Sequence, residues 1–456
     1  MKKFVIFFII LLTFLIYSNG ENIKYYPEKD SIVAKKIEEW RGLKFGLLMH
    51  WGPYSQWGIV ESWSICAEDE PWCKRKIDNY EEYKRMYENL KYYFNPVRFN
   101  PEKWAKAAKD AGMKYVIFTT KHHDGFCMFD TKYTDYKITS KDCPFSVNPK
   151  ANITKEIFNA FRKEGLWVGA YFSKPDWHCD YYWWRNFATP DRNVNYDIKK
   201  YPERWEKFIE YTHNQITELM SNYGKVDILW LDGGWVNAGN KNQDIKLGEL
   251  VKQIRKLQPG LIVVDRAVPG LYQNYLTPEN TIPKDPIKYP WESCIIAGGG
   301  WSWVPNAKYK TTEEVIAILA EIVAKGGNLL LNIAPGPDGD WDSDAYNLLQ
   351  NIGNWMKINS EAIYNTKPYK FYKYENFFFT QKENCLYAIH PAKNKKFSSN
   401  IKISSKIINK FRQIYLLGYQ QPLIWKKNKK NIIIELPANI LKHEPFTYGY
   451  VLKFLK

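Results

Sequence analysis

Carboxylate and imidazole side chains stand at the ends of apolar segments in this sequence. Asp232 directly follows residues 226–231, which are apolar except for Asp227. His50 and the adjacent pair His122 and His123 end two other apolar runs. An ionised carboxylate serves as a nucleophile or a base, and a neutral imidazole hydrogen bonds to hydroxyl groups. These residue types predict a site for nucleophilic or acid–base chemistry.

Other interpretations of the same residues are open. Asp232 would also suit a helix cap. Adjacent histidines with a third elsewhere in the chain are compatible with a metal site. Neighbours on an extended segment point to opposite faces, however, so His122 and His123 are not expected to share one ion. We therefore predict hydrogen-bonding histidines, with no metal and no cofactor. Gly233 and Gly234 predict room for a ligand to approach the backbone.

Near-continuous apolar runs alternate with amphipathic helical patterns over about 320 residues. Such runs are typical of strands that are buried on both faces of a parallel sheet. The seven candidate strands are residues 44–51, 115–122, 167–173, 226–233, 261–266, 289–294 and 328–333. Repeated strand–helix units of this kind predict a (β/α)8-like (TIM) barrel with one irregular or unseen strand.

Polar residues follow most of these strands where the loops of a parallel barrel converge on one mouth. The ends of six candidate strands carry His50, Lys121 to Asp124, Tyr171, Asp232, Asp265 with Arg266, and Glu292. Six such ends in register indicate one site and not a set of unrelated solvated loops.

The pattern changes near residue 366 to short strands separated by turns. The candidates are residues 377–380, 385–389, 401–403, 414–417 and 431–436, with a hairpin turn at the basic residues 426–430. This pattern predicts a C-terminal all-β sandwich. We expect a barrel over residues 21–365 and the β domain over residues 366–456.

The N-terminus predicts export. The basic residues Lys2 and Lys3 precede an almost unbroken apolar run over residues 4–17, and small residues at 18–20 suit cleavage. A retained anchor is the alternative, but the run is short for a membrane span. We expect a signal peptide over residues 1–20, no membrane span in the mature protein, and a secreted, periplasmic or lysosome-like location.

Charge and cysteine content narrow the function classes. The formal charge of +16 comes from lysines spread along the chain and interleaved with acidic residues, which does not suit a nucleic-acid partner or a basic interaction protein. The seven cysteines show no metal-ligand spacing. Cys66 and Cys73 are close enough to pair, and buried thiols are expected for most of the others.

Several motifs resemble those of the α-L-fucosidases, glycoside hydrolase family 29. The resemblance covers residues 40–366 in order. The matching segments are residues 44–55 (KFGLLMHWGPYS), 94–104, 110–126 with the most specific match at TTKHHDGF, 229–233 (LWLDG), 326–339 and 361–364. No Gly-x-Gly-x-x-Gly follows any strand, which does not suit a dinucleotide-binding fold.

The resemblance implies an exo-acting, retaining α-L-fucosidase that removes terminal α-L-fucose from oligosaccharides or glycoconjugates. A carboxylate attacks the anomeric carbon and a second carboxyl protonates the leaving oxygen. By resemblance Asp232 is the nucleophile. By the same resemblance the expected acid/base is Glu279, in a Thr-Pro-Glu element after Arg266, and Glu292 is the alternative. Gln273 stands near the position where one branch of the family carries its glutamate, and an amide cannot supply the proton.

The resemblance also implies a subsite for the terminal fucose. Its expected residues are His50, Glu61, Trp63, His122, His123, Tyr171, Trp230 and Arg266. Trp63 is expected to stack on the apolar face of the sugar, and Glu61 to accept from a hydroxyl. The partner is thus a fucosylated glycan, with α-1,3 or α-1,4 linkages as a suggestion by analogy. The alternative function is a fucose-binding relative without turnover.

Overall fold

The computed structural model describes residues 24–66, 75, 77–392, 398, 400–408, 411–437 and 439–455. Its first part is a curled sheet of seven parallel strands surrounded by helices. The strands are β1 Phe45–Met49, β2 Tyr115–Lys121, β3 Trp167–Ser173, β4 Ile228–Asp232, β5 Ile262–Asp265, β6 Glu292–Ile296 and β7 Asn328–Asn332. The predicted barrel and its seven strands are confirmed, although β6 begins at Glu292 and not at residue 289.

The sheet has the order β5-β4-β3-β2-β1-β7-β6, so β5 and β6 are its two edges. Residues 273–280, which we call the closing segment, lie between these edges. Gln273 forms an isolated bridge with Val264 of β5, and Glu279 forms one with Cys294 of β6. This irregular segment takes the place of the eighth strand and completes the wall of the barrel.

Nearly every strand residue is buried, because one face meets the helices and the other fills the barrel. The barrel interior contains Leu48, Ile117, Tyr171, Trp230 and Leu330, all at most 1% exposed. This double burial explains why the strands are continuous apolar runs and show no alternation.

Eight α-helices lie among the described residues. They are α1 Ser31–Leu43, α2 Tyr80–Glu88, α3 Pro101–Asp110, α4 Ile153–Lys163, α5 Pro202–Asn222, α6 Leu247–Leu257, α7 Thr312–Ala324 and α8 Ser343–Asn359. In α4 the buried residues Ile153, Ile157 and Phe161 recur every four positions and form one apolar stripe. Such stripes hold the helices against the outer face of the sheet.

The C-terminal part consists of two antiparallel sheets, which confirms the predicted β domain. One has the order β12-β15-β10-β9-β8 and the other β11-β14-β13. The strands are β8 Lys367–Tyr374, β9 Phe377–Lys382, β10 Cys385–Pro391, β11 Asn400–Ser404, β12 Gln413–Leu416, β13 Trp425–Lys427, β14 Asn431–Glu435 and β15 Gly449–Leu455. Trp355 of α8 donates to the carbonyl of Gly449 at 2.9 Å, so the β domain packs against the barrel.

Two predictions fall on residues that are not described. The predicted signal peptide, residues 1–20, lies outside the described residues, and so does Cys73 of the proposed Cys66–Cys73 pair. Four other cysteines are buried free thiols, as expected: Cys127, Cys143, Cys179 and Cys294. Within the described part of the chain no helix has the length and apolar character to cross a membrane.

Candidate active site

Asp232 is the last residue of β4 and faces the mouth of the barrel, where β1–β7 end. Its Oδ2 atom accepts a hydrogen bond from the Tyr171 hydroxyl at 2.6 Å. Its Oδ1 atom accepts from the Gly233 N–H at 2.8 Å and from Arg266 Nη1 at 3.0 Å. No α-helix follows until Leu247, so the helix-cap interpretation does not apply.

These contacts keep Asp232 ionised. Burial alone would raise its pKa, because a low-dielectric environment penalises the charged form. The Arg266 guanidinium and the hydrogen bonds from Tyr171 and Gly233 more than offset burial, and the pKa lies well below its ordinary value. The carboxylate is therefore anionic at neutral pH.

The two glycines after Asp232 are required by the packing of the chain. Gly233 has φ 84°, and a Cβ there would lie 2.2 Å from Cδ of Pro175. A Cβ on Gly234 would lie 2.9 Å from the carbonyl oxygen of Arg266. Neighbouring loops thus fill the space that a side chain would need at either position, and the approach of a ligand to this backbone stays a prediction.

Glu279 lies on the closing segment and meets the same guanidinium as Asp232. Its Oε2 atom accepts a hydrogen bond from Arg266 Nη2, while Arg266 Nη1 binds Asp232. The Glu279 side chain is 48% exposed, against 15% for Asp232. One carboxylate is thus enclosed and the other faces solvent, on opposite arms of one arginine.

Glu292, the alternative acid/base, lies in the barrel interior. The sequence predicted it at the mouth end of its strand, and this is wrong because Glu292 begins β6 and is fully buried. The prediction counted residues 289–291 as part of the strand, but they precede β6, so the strand was placed too early in the sequence. Glu292 Oε2 accepts from the hydroxyl of Tyr115, the first residue of β2, at 2.5 Å. Burial raises the pKa of Glu292 to about 7.

His122 and His123 both point into the site. Their ring centroids are 4.1 Å apart, so the expectation that they face opposite ways is wrong. They lie beyond Lys121, where β2 ends and the chain turns, and the alternation of an extended strand no longer holds. The ring of His50 is 5.7 Å from that of His122. All three predicted histidines are therefore brought together.

Each of these imidazoles has a partner behind it. His50 Nδ1 lies 2.9 Å from Asn332 Oδ1, and His123 Nδ1 lies 2.8 Å from Ser173 Oγ. His122 Nδ1 is in hydrogen-bond contact with Ser62 Oγ. Burial lowers the pKa of His50 to about 4 and that of His123 to about 3, and it places the pKa of His122 far below the ordinary value. The histidines are neutral at physiological pH.

Glu61 and Trp63 lie beside the histidines. Glu61 is buried, and its Oε1 atom accepts from the Ser302 N–H at 3.0 Å. Burial raises the pKa of Glu61 to about 8. The Trp63 ring lies 5.3 Å from His123 and 5.6 Å from Trp235.

Tyr171 and Trp230 form the apolar base of the site. Their rings stack with centroids 5.2 Å apart and planes 25° from parallel. The Arg266 guanidinium carbon lies 5.0 Å from the Trp230 ring, and the His122 ring stacks on Tyr171 at 5.7 Å. The site thus combines flat apolar faces with hydrogen-bonding groups.

One group of potential metal ligands occurs among the described residues. Single ligand atoms of His122, His123 and Asp232 lie within 4.8 Å of one another. The Arg266 cation already binds Asp232, however, and a second cation beside it would be repelled. The imidazoles and carboxylates of the site are hydrogen-bonding groups of the kind that bind hydroxyls.

The structure adds residues that the sequence did not single out. Ser62, Ser173 and Asn332 contact the three histidines, and all three side chains are at most 1% exposed. Asn332 ends β7 as a polar residue after three leucines, and this signal was available in the sequence. Lys174 is also new, and it forms a buried ion pair of 2.5 Å with the predicted strand-end residue Asp265, from the end of β3 to the end of β5. This pair braces the two strands on either side of Asp232.

Comparison with known proteins gives consistent matches along the chain. A family model described as alpha-L-fucosidase matches residues 13–361, and a model of the alpha-L-fucosidase C-terminal domain matches residues 373–455. Human plasma alpha-L-fucosidase is 28% identical over 94% of this chain and 92% of its own length. Human tissue alpha-L-fucosidase is also 28% identical, over 94% and 91%.

Solved structures give the same result. Alpha-L-fucosidase isoenzyme 1 from Paenibacillus thiaminolyticus has a TM-score of 0.76 and 29% identity, over 93% of this chain and 99% of that one. The alpha-fucosidase of Thermotoga maritima, in complex with a mechanism-based inhibitor, has a TM-score of 0.74 and 26% identity, over 95% and 100%.

Proposed function

This chain belongs to the α-L-fucosidase family, and we propose that it hydrolyses terminal α-L-fucosides with Asp232 as nucleophile and Glu279 as acid/base. It is a glycoside hydrolase that acts with retention of anomeric configuration through a covalent glycosyl-enzyme. The alternative of a binding protein without turnover has no support, since both carboxyl groups are present.

The observation that carries the residue assignment is the shared guanidinium of Arg266. Two carboxylates on neighbouring nitrogens of one arginine are close together, which suits the separation of about 5–5.5 Å in retaining glycosidases. Asp232 is enclosed and anionic, whereas Glu279 faces solvent, where a leaving group departs and water enters. Glu292 has no such access, because it is fully buried beneath the site.

The geometry supports two successive displacements. Glu279 first takes up a proton from solvent. Asp232 then attacks the anomeric carbon as the glycosidic bond breaks, and Glu279 gives this proton to the leaving oxygen. The resulting carboxylate of Glu279 then takes a proton from water, whose oxygen attacks the anomeric carbon and releases Asp232. Each displacement inverts the centre, so the two together retain its configuration.

The surrounding residues suit the binding of a terminal fucose residue. We expect the neutral histidines to bind ring hydroxyls and Trp63 to stack on the apolar face. Because the pKa of Glu61 is about 8, this residue is protonated at neutral pH and donates to a sugar oxygen, in addition to the acceptor role expected from the sequence. The buried base of the pocket supports exo action.

The substrate source and the location belong to the same proposal. The relatives include a plasma and a tissue alpha-L-fucosidase, and the apolar residues 4–17 suit a signal peptide. We propose an exported enzyme that acts on fucosylated glycans, with α-1,3 or α-1,4 linkages as the first to test.

Hydrolysis of a chromogenic α-L-fucoside tests the assignment. We expect Asp232→Ala to lose at least about 10³-fold in kcat, because the nucleophile is absent. The matched control is Asp285→Ala, at an exposed position outside the site, which should retain full activity. Robust turnover by Asp232→Ala would show that another residue is the nucleophile.

A further inference from the structure

The buried partners of His50 and His123 determine where each imidazole carries its proton. We propose that Asn332 and Ser173 are positioning residues that fix both histidines in the Nδ1–H tautomer. Each ring then presents an unprotonated Nε2 atom to the pocket and accepts a hydrogen bond from a substrate hydroxyl. The identity of that substrate rests on the proposed function, and the tautomer assignment does not.

The contacts of Ser173 fix the proton of His123. The Ser173 hydroxyl lies 2.5 Å from the carbonyl oxygen of Pro175, which can only accept a hydrogen bond. The single hydroxyl proton is therefore used in that bond. The 2.8 Å contact between Ser173 Oγ and His123 Nδ1 must then be donated by the imidazole. A neutral imidazole protonated on Nδ1 has a bare Nε2.

The contacts of Asn332 fix the proton of His50 in the same way. The Asn332 amide nitrogen donates to the carbonyl oxygens of Trp301 at 2.8 Å and of Gly300 at 3.3 Å. Turning the amide over would set its oxygen against these two carbonyls, so the orientation is determined. Oδ1 therefore faces His50 Nδ1 at 2.9 Å as an acceptor, and the imidazole donates.

With this tautomer, His123 and the proposed nucleophile Asp232 face each other with two hydrogen-bond acceptors. His123 Nε2 lies 4.0 Å from Asp232 Oδ2. Burial keeps His123 neutral, so no proton lies between these two atoms. A hydroxyl group of the substrate supplies the missing donor, whereas a fluorine or an ether oxygen at the same position would face two lone pairs. The pocket thus selects hydroxyl donors beside the reacting carbon.

The tautomers are measured directly by ¹⁵N NMR of the wild-type enzyme labelled at histidine. The spectra of His50→Gln and His123→Gln identify the two residues. We expect a protonated Nδ1 and a bare Nε2 for both at neutral pH. A protonated Nε2 on either ring would overturn the proposal for that residue, whatever the activity of the enzyme.

Fluorinated sugars test the role of the tautomer in recognition. The 2-, 3- and 4-deoxyfluoro analogues of fucose accept hydrogen bonds but do not donate them. For the wild type we expect at least one analogue to inhibit about 10-fold or more weakly than fucose, as one buried acceptor loses its donor. The analogue that reports on His123 is the one whose penalty is lost in His123→Gln. In Ser173→Ala the penalty for that analogue should shrink, because His123 is free to donate through Nε2.

A matched variant separates this effect from a general loss of packing. Thr154→Val removes another buried hydroxyl, which donates to the Met128 carbonyl at 2.8 Å outside the site. It should show the wild-type pattern of inhibition by the analogues. An unchanged fluorine penalty in Ser173→Ala, or the same loss of penalty in Thr154→Val, would refute the positioning role of Ser173.

Discussion

Glu292→Gln should make the protein more stable at neutral pH while leaving it active. The folded-state pKa of Glu292 is about 7, against 4.5 for a free side chain, because burial penalises its charge. Below pH 4.5 this carboxyl is protonated in both the folded and the unfolded protein, so it does not lower the free energy of unfolding. As the pH rises towards 7 the unfolded chain loses the proton first, so stability falls, and above 7 the loss is complete.

The size of this loss follows from the difference in pKa. At about 1.4 kcal/mol per pH unit, a rise from 4.5 to about 7 corresponds to about 3 kcal/mol, as an order of magnitude. Glutamine has nearly the same shape, carries no charge and still accepts from the Tyr115 hydroxyl. The stability of Glu292→Gln minus that of the wild type should therefore grow between pH 4.5 and 7.

The assay is denaturant unfolding of both proteins across that pH range. Taking the difference cancels the contributions of other titrating groups, such as Asp232 and Glu61. Glu38→Gln is the control, because that side chain is 66% exposed and its removal should leave the pH dependence unchanged. A difference between Glu292→Gln and the wild type that does not vary with pH would refute the buried-carboxyl explanation. Loss of most activity in Glu292→Gln would restore it as a candidate acid/base.

Three further predictions address the site and its support. Azide should restore activity to Glu279→Ala on an activated fucoside and yield the α-configured azide, since it replaces water in the second displacement; a β-configured azide would contradict this role. Arg266→Lys should lower kcat by about 10²–10³-fold, because one ammonium cannot hold two carboxylates as a guanidinium does; wild-type kcat would refute the bridging role. Lys121→Met should cost about 3–5 kcal/mol in unfolding free energy, because it leaves buried Asp176 unpaired, and the exposed Lys106→Met should change stability little; equal losses would contradict this.

The sequence predicted the barrel and Asp232 because both depend on local pattern. An apolar run that is buried on both faces is visible in one dimension, and the residue that ends it must face the mouth of a parallel barrel. The same reasoning misplaced Glu292, because the apolar residues before β6 look like part of the strand. It also placed His122 and His123 on opposite faces, because the sequence does not show that the strand ends at Lys121 and the chain turns there.

Other features depend on contacts between distant parts of the chain. Pro175 fills the space beside Gly233, and the guanidinium of Arg266 joins Asp232 to Glu279. Asn332 reaches His50 across 282 positions of sequence. Pairings of this kind follow from strand order and loop packing, which a single sequence does not specify. Asn332 is nevertheless a polar residue at the end of an apolar strand, as Asp232 is. A search for polar residues at strand ends would have found it on β7.

In the proposed mechanism Asp232 forms a covalent bond to the sugar. Incubation with an activated 2-deoxy-2-fluoro fucoside slows hydrolysis of the glycosyl-enzyme, so the intermediate accumulates and mass spectrometry of the digested protein locates it. We expect one added fluorofucosyl group, on the peptide that contains Asp232 and bound to its carboxylate. A label on any other residue would contradict the assignment, and hydrolysis with no trapped intermediate and inverted configuration would contradict the mechanism.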